Sequence, residues 1–134
     1  MNHWLVKEEP EKYPFDEFKK DKKTTWSKVK NYQARNNMRE MKRGDMVLYY
    51  HSGKERQIVG LAKVTKGGYP SPEDDTWTWV DLSAGKKLKN PVTLKEIKAL
   101  KMFSDFQLVT HSRLSVVPVK KKHFDKILAM AEKG

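Results

Sequence analysis

Apolar residues along this chain fall into short runs separated by charged or turn-forming clusters. Trp4-Leu5-Val6, closed by Lys7-Glu8-Glu9-Pro10, reads as a first strand ended by charge and proline. Pro14 precedes Phe15 and Phe18, the spacing of one helical turn opened by proline. The lysine-rich stretch 19–23 reads as an exposed loop, and Lys28 to Lys42 as a helix with Ala34, Met38 and Met41 on one face, stopped at Gly44-Asp45. Met46 to His51, rich in Val and Tyr, is a strand; Gly53 marks a turn, and Ile58 to Val64 returns as its hairpin partner. Gly67 to Pro72, followed by Glu73-Asp74-Asp75, reads as an exposed loop. Trp77 to Leu82 alternates, placing Trp77 and Trp79 on one strand face. Thr93-Leu94-Lys95-Glu96 has the form of a capping box, with Leu94, Ile97 and Leu100 as the buried stripe behind it. Leu114 to Val119 is a last strand, and Phe124, Ile127, Leu128 and Ala131 repeat at the period of a closing helix. Strands and helices are interspersed without a regular βαβ rhythm, which predicts one α+β domain over residues 1–134, built on an antiparallel or mixed sheet.

Charge adds a partner to this picture. Lys and Arg number 28 against 17 Asp and Glu, a formal net charge of +11. The excess is spread over both halves, with dense spots at residues 19–23, 86–89 and 120–122. A basic face neutralises phosphates and releases their counterions, so a polyanion is the natural partner; a solvated, self-repelling lysine surface has the same composition. With 10% aromatic and 37% hydrophobic residues the chain has the apolar surface for a core and is not a disordered basic tail. No run of 18 apolar residues is present, so no membrane helix is expected. The opening Met1-Asn2-His3-Trp4 has no apolar signal region, and the absence of cysteine removes disulfides, thiolate nucleophiles and Cys-based metal sites. Both fit a cytoplasmic protein.

The chemistry-bearing motifs are few. Phosphate-binding glycine loops, nucleophile elbows and paired-histidine metal motifs are all missing, and His3, His51, His111 and His123 share no ligand spacing. No cofactor or metal is expected. His51-Ser52 and His111-Ser112 set hydroxyls beside imidazoles, but neighbours on a strand point to opposite faces, and hydrogen bonding at strand ends accounts for both. Trp4, Tyr49 and Trp79 fall inside strands and are expected in the core, whereas Trp26 and Tyr69 fall at element boundaries beside polar and basic residues. A large aromatic ring in such a place is either covered by neighbours or offered to a ligand.

The residues also resemble a known family. Trp4-Leu5-Val6-Lys7-Glu8-Glu9-Pro10, then Thr24-Thr25-Trp26, Val29-Lys30-Asn31-Tyr32-Gln33-Ala34-Arg35-Asn36-Asn37-Met38, Gly44 to Ser52, Val59 to Val64, Tyr69-Pro70 and Ser112 to Val116 follow the pattern of EVE domains in order and nearly end to end. These are a branch of the PUA-like superfamily related to YTH domains. The resemblance implies a distorted β-barrel flanked by helices, and a non-catalytic module that recognises a modified base in DNA or RNA through an aromatic pocket. Carried over residue by residue, it implies Trp26 as a cage wall, Asn31 and Tyr32 beside it at the start of a helix, Tyr69 as a second aromatic wall, and Lys7, His51 and Ser112 at the mouth and floor. Glu8 stands where the family usually has Ser, replacing a group that donates and accepts with one that only accepts. Asn36 and Arg113 match positions that tie helix to strand, and Arg35 either does the same or joins Lys19, Lys20, Lys22 and Lys23 as phosphate contacts.

On this reading a flipped or single-stranded base is held by stacking, and the lysines hold the strand. Two alternatives share the fold. One is a small hydrolase of modified nucleosides similar to ASCH domains, using Lys7, Glu8 or Glu9, and Thr24 or Thr25. The other is a protein-interaction module that has lost its base pocket.

Overall fold

Apolar runs, more than turn signals, set the elements of the computed structural model, which describes residues 1–133. β1 (His3–Glu8) buries Trp4, Leu5 and Val6 and ends just before Pro10. α1 (Phe15–Asp21) follows Pro14 and buries Phe15 and Phe18. Its first N–H, at Phe15, donates to His51 Nε2 at 3.0 Å, so a distant histidine caps the helix. Lys19 to Asp21 form the last turn of α1, Lys22 reverses the chain at φ 70° with its N–H on Phe18 O, and Lys23 already pairs in β2 (Lys23–Trp26). The expected loop at 19–23 is therefore a helix end joined directly to a strand, because β2 finds a partner far along the chain.

α2 (Tyr32–Glu40) starts four residues later than its periodicity suggests, since the Asn31 side chain accepts the Ala34 N–H at 2.9 Å and fixes the start there. It ends at Glu40 rather than Lys42, and Gly44, at φ 95°, makes the turn into β3 (Met46–His51). β4 (Gln57–Pro70) and β5 (Thr78–Thr93) are far longer than the sequence pattern indicates. The stretch Gly67 to Pro70, expected as loop, is the end of β4, and the connection is only residues 71–77. Trp77 lies just before β5, and its strand alternation is real but faces the other way: Thr78, Val80 and Leu82 are buried, while Trp79 is half-buried against Tyr69 and outside the core. α3 (Leu94–Lys98) carries the expected capping box, Thr93 Oγ1 accepting from Glu96 N and Glu96 accepting from Thr93 N. A 3₁₀ turn (Lys101–Phe103), α4 (Gln107–Thr110), β6 (Val116–Val119) and α5 (Lys121–Glu132) complete the chain; β6 starts two residues later than its apolar run.

The fold is α+β, as expected. One mixed sheet has the order β2-β5-β4-β3-β1-β6, with β1 and β3 parallel and every other pair antiparallel. Register shifts along β4 and β5, and one between Tyr49 and Tyr50, distort the sheet. β2 and β6 are its edges and do not pair with each other, so the barrel-like wrap stays open along one seam.

Glycine accounts for the extension of β4 through Pro70. The strand passes so close to the end of α2 that a Cβ on Gly68 would lie 2.4 Å from Met38 O and 2.8 Å from Arg39 Cα. The Gly67-Gly68 pair is a close-approach signal here and not a turn. Gly68→Ala is expected to cost about 1–3 kcal/mol by overpacking a backbone that cannot yield, measured by urea unfolding.

At the start of β3, the buried Asp45 carboxylate accepts from Trp4 Nε1 (3.0 Å), Lys42 N (3.0 Å) and Asn2 N (3.1 Å), joining β1, the turn after α2 and β3. Burial alone would raise its pKa, but these donors outweigh it and hold the carboxyl below its ordinary value. A lowered folded pKa contributes stability that is fully present above the unfolded value and is lost as pH falls through the folded one. Asp45→Asn should cost about 1.5–3 kcal/mol at neutral pH, and the gap from wild type should narrow below about pH 4 as the native carboxylate is itself protonated. Paired urea titrations at neutral and acidic pH read both effects.

Candidate nucleic-acid interface

The open seam holds a cleft of about 470 Å³, a volume suited to a nucleobase-sized ligand. One side is the end of β1 with Lys7 and Glu8, joined by Ser115 just before β6; the other is Thr24, Thr25 and Trp26 of β2 with the following segment Ser27 to Lys30. Lys12 and Tyr13 close the end.

Trp26 is 8% exposed, so most of the indole is packed, yet it remains part of the cleft wall. It meets the Tyr49 ring almost perpendicularly, at 83° and 5.7 Å between centroids. Tyr49 is itself fully buried and donates its hydroxyl to Tyr13 O at 2.5 Å. Tyr13 donates to Asp21 Oδ2 at 2.8 Å, and burial followed by this bond to a carboxylate pushes its pKa up to about 12. Tyr49 thus sets the Trp26 indole through its ring and the Tyr13 backbone through its hydroxyl, while Asp21 and Phe18 hold the Tyr13 ring.

Charge at the mouth is mostly positive. Lys7, Lys12, Lys28 and Lys30 line the cleft with a single carboxylate, Glu8. The Lys7 amine donates to Ser112 O at 3.0 Å and lies 5.9 Å from the Tyr50 ring centroid; burial lowers its pKa below the ordinary lysine value. Glu8 Oε1 accepts from Glu9 N at 2.9 Å. Lys12 pairs with Glu9 at 3.4 Å on the surface.

Of the residues singled out in sequence, Trp26 and Lys7 line this cleft together. Asn31 and Ser112 line a smaller neighbouring hollow of about 280 Å³ with Gln33, His111, Arg113 and Leu114, and the Asn31 carbonyl oxygen is engaged in capping α2. His51 lies behind the site. Its Nε2 accepts from Phe15 N, which leaves Nδ1 to donate to Glu55 Oε1 at 2.9 Å, a capping role and not a place at the mouth.

Tyr69 is outside the cleft, in β4. Its hydroxyl donates to Asp81 Oδ1 at 2.5 Å and Lys66 lies 4.2 Å from its ring centroid. Tyr32 is also outside and 61% exposed, stacked on Trp77 at 5.1 Å and 25°, with the Arg35 guanidinium 4.9 Å from its centroid. Arg35 further donates to Thr76 O at 3.0 Å and to Asn36 Oδ1, so it latches the 71–77 connection to α2. Lys30 lies over the Trp77 ring at 5.2 Å, linking this latch to the cleft wall.

The dense lysines sit elsewhere. Lys19 and Lys20 are in the last turn of α1, Lys22 in the reversal after it and Lys23 at the start of β2, about 10 Å along the strand from Trp26; all four are exposed, and Lys19 donates to Gly85 O at 2.6 Å. Sequence density pointed to these four, while Lys12, Lys28 and Lys30, which stand singly between polar and apolar residues, are the ones at the mouth.

The residues of the hydrolase alternative are neighbours without being connected. Lys7, Glu8, Thr24 and Thr25 all line the cleft, but the Lys7 amine is on Ser112 O, Glu8 Oε1 is on Glu9 N, and Thr25 Oγ1 donates to Asp81 Oδ1 at 3.0 Å. Among the described residues, no group of three or more His, Asp or Glu side chains converges as a metal site, and no helix is long and apolar enough to cross a membrane.

Comparison with known proteins agrees with this architecture. Human thymocyte nuclear protein 1 is 33% identical over 98% of this chain and 75% of its own length. The crystal structure of the human THYN1 protein in complex with 5-methylcytosine-containing DNA superposes with a TM-score of 0.93 at 30% identity, covering 100% of this chain and 99% of that one. An ASCH structure from Zymomonas mobilis, at TM-score 0.59, 12% identity and coverage of 96% and 95%, shares the fold alone. The EVE domain model matches residues 2–130. With that match over nearly the whole length, the chain belongs to the EVE domain family.

Proposed function

We propose that this chain is a non-catalytic module that binds nucleic acid, DNA in particular, carrying a modified base, and that it takes that base out of its stack into the Trp26 cleft. The observation that carries the reading is an indole held at right angles to a buried tyrosine in the wall of a base-sized cleft, with lysines at the mouth. The fold-wide likeness to a protein crystallised with 5-methylcytosine-containing DNA supports it. The engagement of Lys7 with Ser112 O, Glu8 with Glu9 N and Thr25 with Asp81 supports binding over hydrolysis.

Magnitudes shape the mechanism. Unstacking a paired base costs a few kcal/mol, least where the strand is already single. Stacking on an aromatic side chain returns about 1–3 kcal/mol per base. Burying one methyl group adds only about 0.8 kcal/mol. These terms nearly cancel on a duplex, so affinity rests on phosphate contacts, and Lys12, Lys28 and Lys30 are the cations placed to make them. Single strands and opened sites are therefore preferred, and free nucleosides bind weakly.

Two measurements test this. Trp26→Leu, which keeps apolar volume behind the wall but removes the aromatic face, should weaken binding of the modified oligonucleotide by about tenfold and bring its preference over a plain one, about fourfold from the buried methyl group, close to one while the protein stays folded. Preference that survives the substitution defeats the reading. Lys28→Ala should weaken binding to modified and plain strands alike, and the slope of log K against log salt should become shallower by about 0.7 for the lost phosphate contact on a single strand.

A further inference from the structure

We infer that Glu8 makes this cleft selective for bases that carry an amino group in place of a keto oxygen at pyrimidine C4 or purine C6, a specificity that rests on the base-binding reading above. Glu8 is the last residue of β1, half-buried and the one carboxylate in the cleft lining. One of its oxygens accepts from Glu9 N at 2.9 Å, which fixes the group; among the described residues the other has no donor, and Glu8 forms no salt bridge. Its charge reaches the back of the cleft. Burial raises the pKa of the Tyr49 phenol first, and the Glu8 carboxylate, as the next contribution, raises it further. Tyr49 is the ring against which Trp26 is set, so Glu8 and the indole wall address the same space.

A carboxylate can only accept. A base that enters with an amino group toward Glu8, as cytosine N4 or adenine N6, gives it a proton to accept, the pairing by which acidic side chains read cytosine. A thymine, uracil or guanine keto oxygen in the same place sets two acceptors against each other in a partly dewatered site.

Thymine is the informative competitor. It shares the 5-methyl group and nearly the same ring as 5-methylcytosine, so stacking and methyl burial cancel between them and what remains is the exchange of amino for keto at C4 together with the proton it places on N3. The experiment uses the full chain and single-stranded DNA oligonucleotides identical but for one central base: 5-methylcytosine, cytosine, thymine or uracil, with an adenine and hypoxanthine pair as a second amino-for-keto exchange. The amino base of each pair should bind at least about tenfold more tightly. In Glu8→Gln the side-chain carbonyl can keep the Glu9 N–H while the amide NH₂ faces the cleft, so the 5-methylcytosine to thymine ratio should fall to about one or reverse, with the urea midpoint checked against wild type.

Equal binding of 5-methylcytosine and thymine by the wild-type chain, or an unchanged ratio in Glu8→Gln, overturns the inference. If methylated bases are preferred over unmethylated ones without any amino preference, only this inference falls. If no base-dependent binding is seen at all, the base-binding reading falls with it.

Discussion

The site depends on where Tyr49 sits. This ring, fully buried in β3, packs edge-on or tilted against Phe15 (5.4 Å), Trp26 (5.7 Å) and His51 (5.8 Å) and stacks on Phe18 (5.4 Å). Aromatic pairs of these geometries contribute about 0.5–1.5 kcal/mol each beyond area burial, so the cluster is a substantial part of the local stability. The consequence is positional. β3 is central in the sheet, and Tyr49 reaches α1 through the phenylalanines, β2 through the indole and the 9–14 segment through the bond to Tyr13 O. Three elements remote in sequence are registered on one side chain, and two of them supply cleft walls.

How much of this was legible beforehand varied with how local the cause was. The Thr93 capping box and the α5 stripe follow from residues within a few positions of each other, and both were readable directly. The β3 strand was readable because a continuous apolar run buried on both faces leaves few alternatives. What failed depended on distant partners. The Gly67-Gly68 pair looks like a turn unless one knows that α2 lies against it, and Lys23 reads as loop unless one knows that Ser83 pairs with it. The alternation around Trp79 is read correctly from sequence, but nothing local says which face of β5 points inward.

The site was legible in the same uneven way. Trp26 stood out as an aromatic at a boundary, and it does line the cleft. Tyr69 stands out on the same ground and Tyr32 through the family resemblance, yet each is engaged elsewhere, Tyr69 with Asp81 and Tyr32 with Trp77. An aromatic ring in a polar context shows only that some surface must cover or use it. Lysine density marks a different surface from the cleft: Lys19, Lys20, Lys22 and Lys23 are exposed away from it, whereas Lys12, Lys28 and Lys30 line it.

The cleft has a topological origin that no local pattern carries. In sheet order β2 and β1 are separated by three strands, yet Lys7 and Glu8 of one line the same space as Thr24 to Trp26 of the other. Strands so far apart in one sheet can share a cleft only if the sheet curls. Pairing of β2 with the β1–β6 edge would close the barrel and fill that space with backbone hydrogen bonds. The seam stays open because β2 is only four residues long and the chain then leaves it through Ser27 to Asn31 to begin α2. A short edge strand, usually a guard against unwanted pairing, here leaves a slot where a closed barrel would have had its last ladder. That accounts for its mixed chemistry: an indole from the inner face, donors and a carboxylate from a strand end, and lysines from the segment that departs.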